Sequence, residues 1–397
     1  MVQGSTMKIL MIAPQPFFQP RGTPFSVLGR LHALSELGHT VDLITYHIGQ
    51  NVEIPKVTIH RIGNIPFIKN INIGPSAAKI PVDIAVFFKA ISMLRKNEYD
   101  VLHTHEEAGF MGILFHKWFN IPHLYDMHSS LPQQLHNFQF SKSKILQNSF
   151  RRLEDSTLKS AQGVITICPE LYNYVENLGI AGNHLLIENV VDYASLFTDR
   201  NGGDEHEIFK DAAIAAKKKI LYVGTLEPYQ GIDLLIKGAK TVLDVFPDAI
   251  YLIVGGKPEQ VVHYRQMVEA EQVAGNFVFT ASVQPRVAEK FVDFCDVLVS
   301  PRISGNNTPL KIYSYLRSQK PIIATRHITH TQILDDTISV LTEPDPADFA
   351  RGILKILQDP QLINEITGNA RKLAESKYSY EVYVKKIQKV LDNLYID

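Results

Sequence analysis

The sequence is short of the features that stabilise secreted or membrane-spanning chains. Only two of its 397 residues are cysteines, Cys168 and Cys295, which is too few for a disulfide framework or a zinc site. Both lie beside apolar segments, so we expect buried thiols in a reducing, cytoplasmic protein. The chain contains no uninterrupted apolar run of about 20 residues, and therefore no transmembrane helix is predicted. The net charge of -1 also argues against a nucleic-acid partner.

Short apolar segments typical of buried strands alternate with amphipathic helical segments along the whole chain. The first array starts with a predicted strand at residues 8–13 and runs to about residue 187. A second array restarts at residues 219–223, after a connection that carries Asn201-Gly-Gly203. This alternation is typical of parallel, doubly wound sheets. The sequence thus predicts an α/β protein of two Rossmann-like domains, residues 7–193 and 194–378, which face a cleft where ligand binds.

The C-terminal segment is predicted to be a helix over residues 380–394 that crosses back to the first domain. Its apolar positions form a stripe too long to leave in water. They are Val382, Val384, Ile387, Val390, Leu391 and Leu394. We therefore expect residues 379–397 to complete the first domain.

Candidate site residues in the first domain lie where predicted strands end. The loop after the first strand contains Gly22 and Thr23 and leads into a helix, predicted from residue 26, whose free N–H groups suit an anion. His128 follows the strand at residues 123–125, where its two ring nitrogens could each serve a sugar hydroxyl. Glu106 and Glu107 follow another strand, and we interpret them as solvated residues of a helix N-terminus.

In the second domain the strand-to-helix turns carry Gly224 and Gly255. The segment from Ser300 to Ser314 is the most informative, because Thr308 is a suitable N-cap and the following Pro309 a suitable first helical residue. The start of that helix would direct backbone N–H groups at a phosphate.

A helix is predicted near residues 77–95, and its composition supports two interpretations. The segment from Lys79 to Lys96 mixes cations with large apolar residues. That mixture is typical of a helix lying at a membrane surface, and a packed Rossmann helix explains the same apolar positions. Both remain open at this stage, and a peripheral membrane contact is one of our hypotheses.

The order of these motifs resembles the family-4 retaining glycosyltransferases of the GT-B fold over essentially the whole chain from Met7. The segments that carry the resemblance occur in the same order in both domains. They are the Gly22 loop, Leu37-Gly-His39, Tyr99-Asp-Val-Leu-His-Thr-His105, His128, Val164-Ile-Thr-Ile-Cys-Pro169, Ile187-Glu-Asn-Val-Val-Asp192, Tyr222-Val-Gly-Thr-Leu-Glu-Pro-Tyr-Gln-Gly231, Cys295-Asp-Val-Leu-Val-Ser-Pro301 and Lys320-Pro-Ile-Ile-Ala-Thr325.

The resemblance implies transfer of a sugar from a nucleotide-diphosphate donor to a glycan or lipid-linked acceptor, with retention of configuration. It implies no prosthetic group and no metal, which agrees with the lack of a DxD motif. Gly22 and His128 would be the catalytic residues on the acceptor side. The donor would be held by the remaining candidates, namely Thr23, Gly224, Thr225, Gln230, Gly255, Arg302, Asn306, Thr308, Lys311 and Ser314.

Four positions depart from the family pattern. Thr225 and Gln230 stand where the family usually has Arg and Lys, and Asn306 and Ser314 stand where it usually has two glutamates. The second glutamate normally accepts hydrogen bonds from the donor ribose, which a short Ser hydroxyl does poorly. A charged hydrogen bond contributes about 1.5–3 kcal/mol, so the lost cations matter unless Arg302 and Lys311 replace them. These two are equally well explained as ordinary surface cations.

Two further functions stay open on the sequence alone. The first is a catalytically silent GT-B protein that binds a glycan or a partner. The second is a sugar-nucleotide epimerase, because the same fold supports that chemistry.

Overall fold

The structure is a computed structural model that describes residues 6–19, 22–68, 71, 79–130, 144–179, 182–189 and 206–395. The chain divides into two compact units, Met1–Val190 with Tyr380–Asp397, and Val191–Ser379. Each unit is described separately below.

The first unit is built on a seven-stranded parallel sheet in the order β3-β2-β1-β4-β5-β6-β7. β1, β4 and β5 are buried almost throughout, because helices cover both faces of a parallel sheet. The strands are β1 Lys8–Ile12, β2 Thr40–Thr45, β3 Val57–Arg61, β4 Val101–His105, β5 His123–Met127, β6 Gly163–Thr166 and β7 Asn183–Leu186. The helices between them include α1 Gly22–Glu36, α2 Lys79–Lys96, α3 Ala108–Phe119, α4 Lys144–Ser160 and α5 Pro169–Asn177.

The second unit repeats this plan with six parallel strands in the order β10-β9-β8-β11-β12-β13. The strands are β8 Lys218–Val223, β9 Ala249–Val254, β10 Phe277–Ala281, β11 Val297–Ser300, β12 Ile322–Thr325 and β13 Val340–Thr342. The helices are α6 Ala212–Ala215, α7 Ile232–Leu243, α8 Pro258–Ala270, α9 Pro285–Phe294, α10 Leu310–Arg317, α11 Ile328–Thr331, α12 Pro346–Gln358 and α13 Pro360–Lys377. β13 is not predicted from the sequence, because three residues are too few to show a period.

In each sheet the order in which successive strands are added reverses at one point. This switch point lies between β1 and β4 in the first unit and between β8 and β11 in the second. In an open α/β sheet, ligands bind outside the carboxyl ends of the strands at this switch point. The predicted site segments after β1, β4, β8 and β11 therefore occupy the positions where a ligand site is expected. The α/β double-Rossmann prediction is confirmed.

The last helix, α14 (Tyr380–Asp392), packs on the first unit, as predicted. The Asn183 side chain donates to the Val390 carbonyl (2.7 Å), and Lys386 pairs with the buried Glu188 (2.7 Å). The predicted apolar stripe is wrong in part. Val382 and Val384 are only half-buried, and Tyr383 between them is the buried residue.

Both cysteines are buried free thiols, as predicted. Burial raises the pKa of Cys168 to about 11 and that of Cys295 to about 12. Neither thiol is therefore a nucleophile near neutral pH.

Candidate functional site

Three loops of the second unit meet at its switch point. The Gly224 amide donates to the Val254 carbonyl (2.9 Å), and the Ile303 amide donates to the Tyr229 carbonyl (3.0 Å). These bonds join the turn after β8 to the end of β9 and to the turn after β11. The structure thus brings together the loops that carry most of the predicted donor-binding residues.

Two glycines in these loops are required by the fold itself. A side chain at Gly255 (φ +119°) would come within 2.0 Å of the Gly224 carbonyl oxygen. At Gly231 (φ +71°) it would come within 2.0 Å of the Pro301 carbonyl oxygen. Both residues also have a left-handed backbone that favours glycine. Close packing of the loops therefore explains these glycines without any ligand.

Lys311 in the second unit has its side-chain nitrogen buried against an aromatic ring. Its Nζ lies 3.7 Å from the centroid of the Tyr222 ring. The nitrogen is buried and has no hydrogen-bond acceptor among the described residues. Burial, together with the nearby Arg302 charge, holds the pKa of Lys311 well below its ordinary value. An unpaired buried cation is costly, so this nitrogen is suited to an anion supplied from outside the chain.

The helix that carries Lys311 begins later than predicted. α10 starts at Leu310, with Pro309 as the N-cap residue and no side-chain cap. The prediction that Thr308 caps the helix is therefore wrong. The Thr308 hydroxyl is buried and has no hydrogen-bond partner in the described part of the chain. Proline lacks an N–H group, so the first free helical donors come from Leu310 onwards.

Arg302 approaches the same region from the turn after β11. Its Nε donates to the Ser304 carbonyl (2.8 Å), and its guanidinium lies 5.1 Å from the centroid of the Tyr229 ring. Burial lowers the pKa of Arg302. A side chain at Gly305 would come within 2.3 Å of the Arg302 Nη2, so this glycine makes room for the guanidinium.

Four other donor-site candidates lie in the same loops and in α10. The Gln230 amide nitrogen reaches the Thr225 hydroxyl at 3.5 Å, and the Gln230 amide oxygen is buried without a partner in the described segments. The Asn306 carbonyl accepts from Gln332 (2.7 Å), and Ser314 is half-buried within α10.

His330 supports this site and was not predicted from the sequence. Its Nε2 lies 2.8 Å from the Ser300 hydroxyl, and its Nδ1 lies 2.9 Å from the Thr325 carbonyl. The Thr325 hydroxyl in turn donates to the Arg302 carbonyl. Burial lowers the pKa of His330 to about 3, so the ring is neutral and joins the ends of β11 and β12. Its position just after a strand was the only signal for it in the sequence.

In the first unit, the segment with Gly22 and Thr23 belongs to α1 itself. The helix begins at Gly22, four residues earlier than predicted, because proline is tolerated in a first helical turn and Pro24 can lie there. The Thr23 hydroxyl donates to Glu106 Oε1 (3.3 Å). A side chain at Gly22 would meet no atom within 4 Å, so the described structure does not require glycine there.

His128 lies in a buried polar cluster at the ends of β4 and β5. Its Nε2 is 3.0 Å from His105 Nδ1 and 3.2 Å from Asp126 Oδ1. This nitrogen therefore faces the protein, and the expectation that both ring nitrogens serve a ligand is wrong. The position at a strand end, which motivated the prediction, is correct.

Asp126 is the centre of this cluster. Arg30 Nε donates to its Oδ2 (2.7 Å), and His103 Nε2 lies 3.5 Å from the same atom. Burial favours the neutral acid, but Arg30 and His128 outweigh it and hold the pKa of Asp126 well below its ordinary value. Burial lowers the pKa of His103, and it lowers the pKa of His105 more strongly. The cluster thus pairs one carboxylate with one guanidinium beside the neutral imidazoles of His103 and His105.

Three of these residues could provide metal ligands. The ligand atoms of His103, His105 and Asp126 lie within 4.8 Å of one another. However, Asp126 already accepts from Arg30, whose charge opposes that of a cation. We therefore interpret the cluster as a set of polar and ionic contacts that fixes the position of His128.

A second polar cluster lies at the end of β4, and here the sequence interpretation is wrong. Glu107 is not solvated but mostly buried, and it pairs with Lys79 at the start of α2 (3.0 Å). Burial raises the pKa of Glu107. Asp83, one turn after Lys79, accepts from the Tyr46 hydroxyl (2.5 Å). Burial and the nearby Glu107 raise the pKa of Asp83 to about 7.

Two family models match this chain, one on each unit. The model described as Glycosyltransferase Family 4 matches residues 22–195, and the model described as Glycosyl transferases group 1 matches residues 204–373. Together they include both switch-point sites.

Relatives and solved structures agree with these matches. The putative glycosyltransferase YtcC of Bacillus subtilis is 26% identical over 213 residues, which are 51% of this chain and 52% of that protein. The alpha-monoglucosyldiacylglycerol synthase of Acholeplasma laidlawii is 19% identical over 95% of this chain and 93% of its own. The crystal structure of Anabaena HepE in complex with UDP has a TM-score of 0.73 at 15% identity, covering 97% of this chain and 100% of that one.

Proposed function

The chain belongs to the family-4 glycosyltransferases, and we propose that it moves a sugar from a nucleotide-diphosphate donor to a glycan or lipid-linked acceptor with retention of configuration. The second unit would hold the donor, and the first unit would bind the acceptor. The product would belong to glycan or polysaccharide biosynthesis.

The observation that carries this proposal is the buried Lys311 Nζ without an acceptor at the start of α10. A buried ammonium is stable when an anion pairs with it, and helix N-termini favour phosphate through their free N–H groups. Arg302 adds a second cation from the adjacent turn. HepE, a protein of the same fold, has been crystallised with UDP, which supports a nucleoside diphosphate as the anion.

This arrangement suits a reaction in which the leaving group is a diphosphate. Negative charge develops on the diphosphate as the bond to the sugar breaks, and fixed cations and N–H groups stabilise that charge. Lys311, Arg302 and the first amides of α10 would act in this way, replacing the Arg and Lys missing at Thr225 and Gln230. We therefore propose that transfer proceeds without a metal ion.

We assign the acceptor side to Gly22 and His128. His128 is held by His105 and Asp126, which limits the directions in which its ring can turn. The name of the relative from Acholeplasma laidlawii specifies a diacylglycerol glycolipid, which supports a lipid-linked acceptor and a peripheral membrane contact.

A thermal-shift panel tests the proposal. UDP-, GDP-, ADP- and dTDP-sugars would be added separately to the protein. A ligand that binds the native state raises the melting temperature by mass action, about 2.7 kcal/mol of stabilisation at one hundred times its dissociation constant. We expect at least one of the four to do so. If none binds, the chain is instead a silent member of the family.

A further inference from the structure

α2 has two apolar faces, whereas a helix that covers a sheet needs only one. Val82, Val86 and Ala90 are fully buried in the core of the first unit. Ile80, Ile84 and Phe88 are 61%, 52% and 64% exposed. Spaced at i, i+4 and i+8, these three form a single stripe along the helix. One face is therefore that of a packed Rossmann helix, and the other leaves large apolar side chains exposed to solvent.

The exposed stripe continues onto the neighbouring helix. On α3, Leu114 is 40% exposed and Trp118 is 57% exposed, again four residues apart. The Phe87 ring lies between the helices, 6.3 Å from Trp118 and 5.7 Å from Phe88 by ring centroids. A shallow groove beside them is lined by Ile80, Asp83, Ile84, Phe87, Phe88 and Met111. We call this combined surface the α2–α3 face.

The charge of the two helices is strongly biased. α2 and α3 together carry five Lys and Arg residues and one Asp, Asp83, a net charge of +4 in a chain of net charge -1. The cations are Lys79, Lys89, Arg95, Lys96 and Lys117, of which Lys79 is paired with Glu107 just before α3. Arg95, Lys96 and Lys117 are exposed. Asp83 is half-buried and bonded to Tyr46.

We propose that the α2–α3 face docks on an anionic lipid bilayer, with Ile80, Ile84, Phe88 and Trp118 entering the interfacial region. Apolar residues flanked by Lys and Arg are the pattern of helices that lie in the membrane interface. Tryptophan favours this depth because one part of its ring is apolar and another is polar. The net positive charge complements anionic headgroups and distinguishes this surface from an uncharged protein interface. None of the helices in the described ranges is long and apolar enough to cross a bilayer.

Tryptophan fluorescence can report docking of this face, because Trp118 is the single tryptophan of the chain. The intact protein would be titrated with phosphatidylglycerol vesicles and, separately, with phosphatidylcholine vesicles. We expect a blue shift of Trp118 emission and co-flotation with the anionic vesicles, both reduced by high salt. Phosphatidylcholine vesicles should bind much more weakly.

Matched variants make the test specific. Phe88→Ser should weaken binding to the anionic vesicles by about tenfold or more, since a buried Phe side chain contributes that much. Lys89→Glu with Lys117→Glu should also weaken it, through charge rather than apolar contact. Val262→Ser, on an exposed residue of α8 (55% exposed), should change nothing. Circular dichroism would show that each variant is folded.

Three results would overturn the proposal. They are an absence of both the blue shift and flotation at low salt, equal vesicle binding by the wild type and all folded variants, and a blue shift that depends on protein concentration without lipid. The last would mean that a second copy covers the face. The proposal rests on the peripheral membrane contact included in the proposed function and names the surface that makes it. Its failure is distinguishable from failure of the transferase proposal, because the nucleotide thermal-shift response does not depend on vesicle binding.

Discussion

At the scale of single residues, the proposed donor site depends most on Lys311. If its Nζ pairs with the diphosphate, Lys311→Met should weaken nucleotide binding about ten- to a hundredfold, the effect of one charged hydrogen bond. Arg302→Ala should act in the same direction. Isothermal titration with the nucleotide sugar found by thermal shift would measure both.

Lys320, on the turn before β12, provides the control for charge alone. Lys320→Ala should leave the affinity within about twofold of wild type, because a distant cation contributes little in salt. Equal affinities for all four proteins would mean that the diphosphate is bound elsewhere.

The lowered pKa of Lys311 leads us to expect that the protein takes up a proton when the nucleotide binds. Burial lowers this pKa in the free protein, so the amine tends to be neutral at alkaline pH, and an arriving anion restores the charged form. Above this lowered pKa we expect binding to take up a proton and the affinity to fall as the pH rises further. Titration calorimetry in buffers of different ionisation enthalpy counts the protons. Uptake that persists in Lys311→Met would assign the proton to another group.

At the scale of elements, a glycine in the first turn of α1 could be required by a ligand or by folding, and substitution by alanine distinguishes the two. Gly22 and Gly368 both lie in helices, and a side chain at either would meet no atom within 4 Å. Alanine is a better helix former than glycine by about 1 kcal/mol. We expect Gly368→Ala to raise or maintain the melting temperature and to leave sugar transfer unchanged.

Gly22→Ala should likewise maintain the melting temperature, but it should reduce transfer if a substrate approaches the first turn closely. Melting curves and initial rates of transfer, measured on both variants, provide the comparison. Unchanged transfer by Gly22→Ala would remove Gly22 from the catalytic site.

At the scale of the whole molecule, buried histidines determine the response to acid. Burial lowers the pKa of His123 and His330 to about 3 each, and that of His103 and His105 also falls. Below about pH 6.5 the unfolded chain protonates these rings while the folded chain does not. The unfolded state then binds more protons, so the free energy of unfolding falls as the pH falls.

Asp126 also binds its proton less readily in the folded state, so it acts in the same direction, but in a lower pH window. Its folded pKa is lowered, so its contribution is fully present above the pKa of the unfolded carboxyl and is lost only as the pH falls through the folded value. Between pH 7 and pH 5 it therefore stays constant, and the histidines set the slope.

Urea unfolding between pH 7 and pH 5 measures this effect. Each neutral buried histidine should contribute up to about 1.4 kcal/mol per pH unit. His330→Asn should reduce the slope by about one such increment. A stability that is flat over this interval would show that these rings are protonated or solvated in the folded protein.

Much of the architecture could be predicted locally. The alternation of apolar strands and amphipathic helices identified both arrays, and the apolar face of the last segment correctly placed α14 on the first unit. Boundaries were less certain, as α1 and α10 show. The first turn of α1 contains Pro24, and the first turn of α10 follows Pro309. Proline is compatible with both a helix start and a preceding loop.

The order of motifs along the sequence resembled the family. Strand and helix periodicity and turn residues, which depend on near neighbours, predicted the double-Rossmann fold and the loops that contain the candidate site. Only the tertiary structure decided which charges are paired. Arg30 meets Asp126 across 96 positions, Lys79 meets Glu107, and Lys311 meets no acceptor among the residues described. It also decided which face of α2 remains in water. Pairing and burial depend on segments distant in the chain, and the energetic cost of an unpaired charge arises only after folding removes water from it.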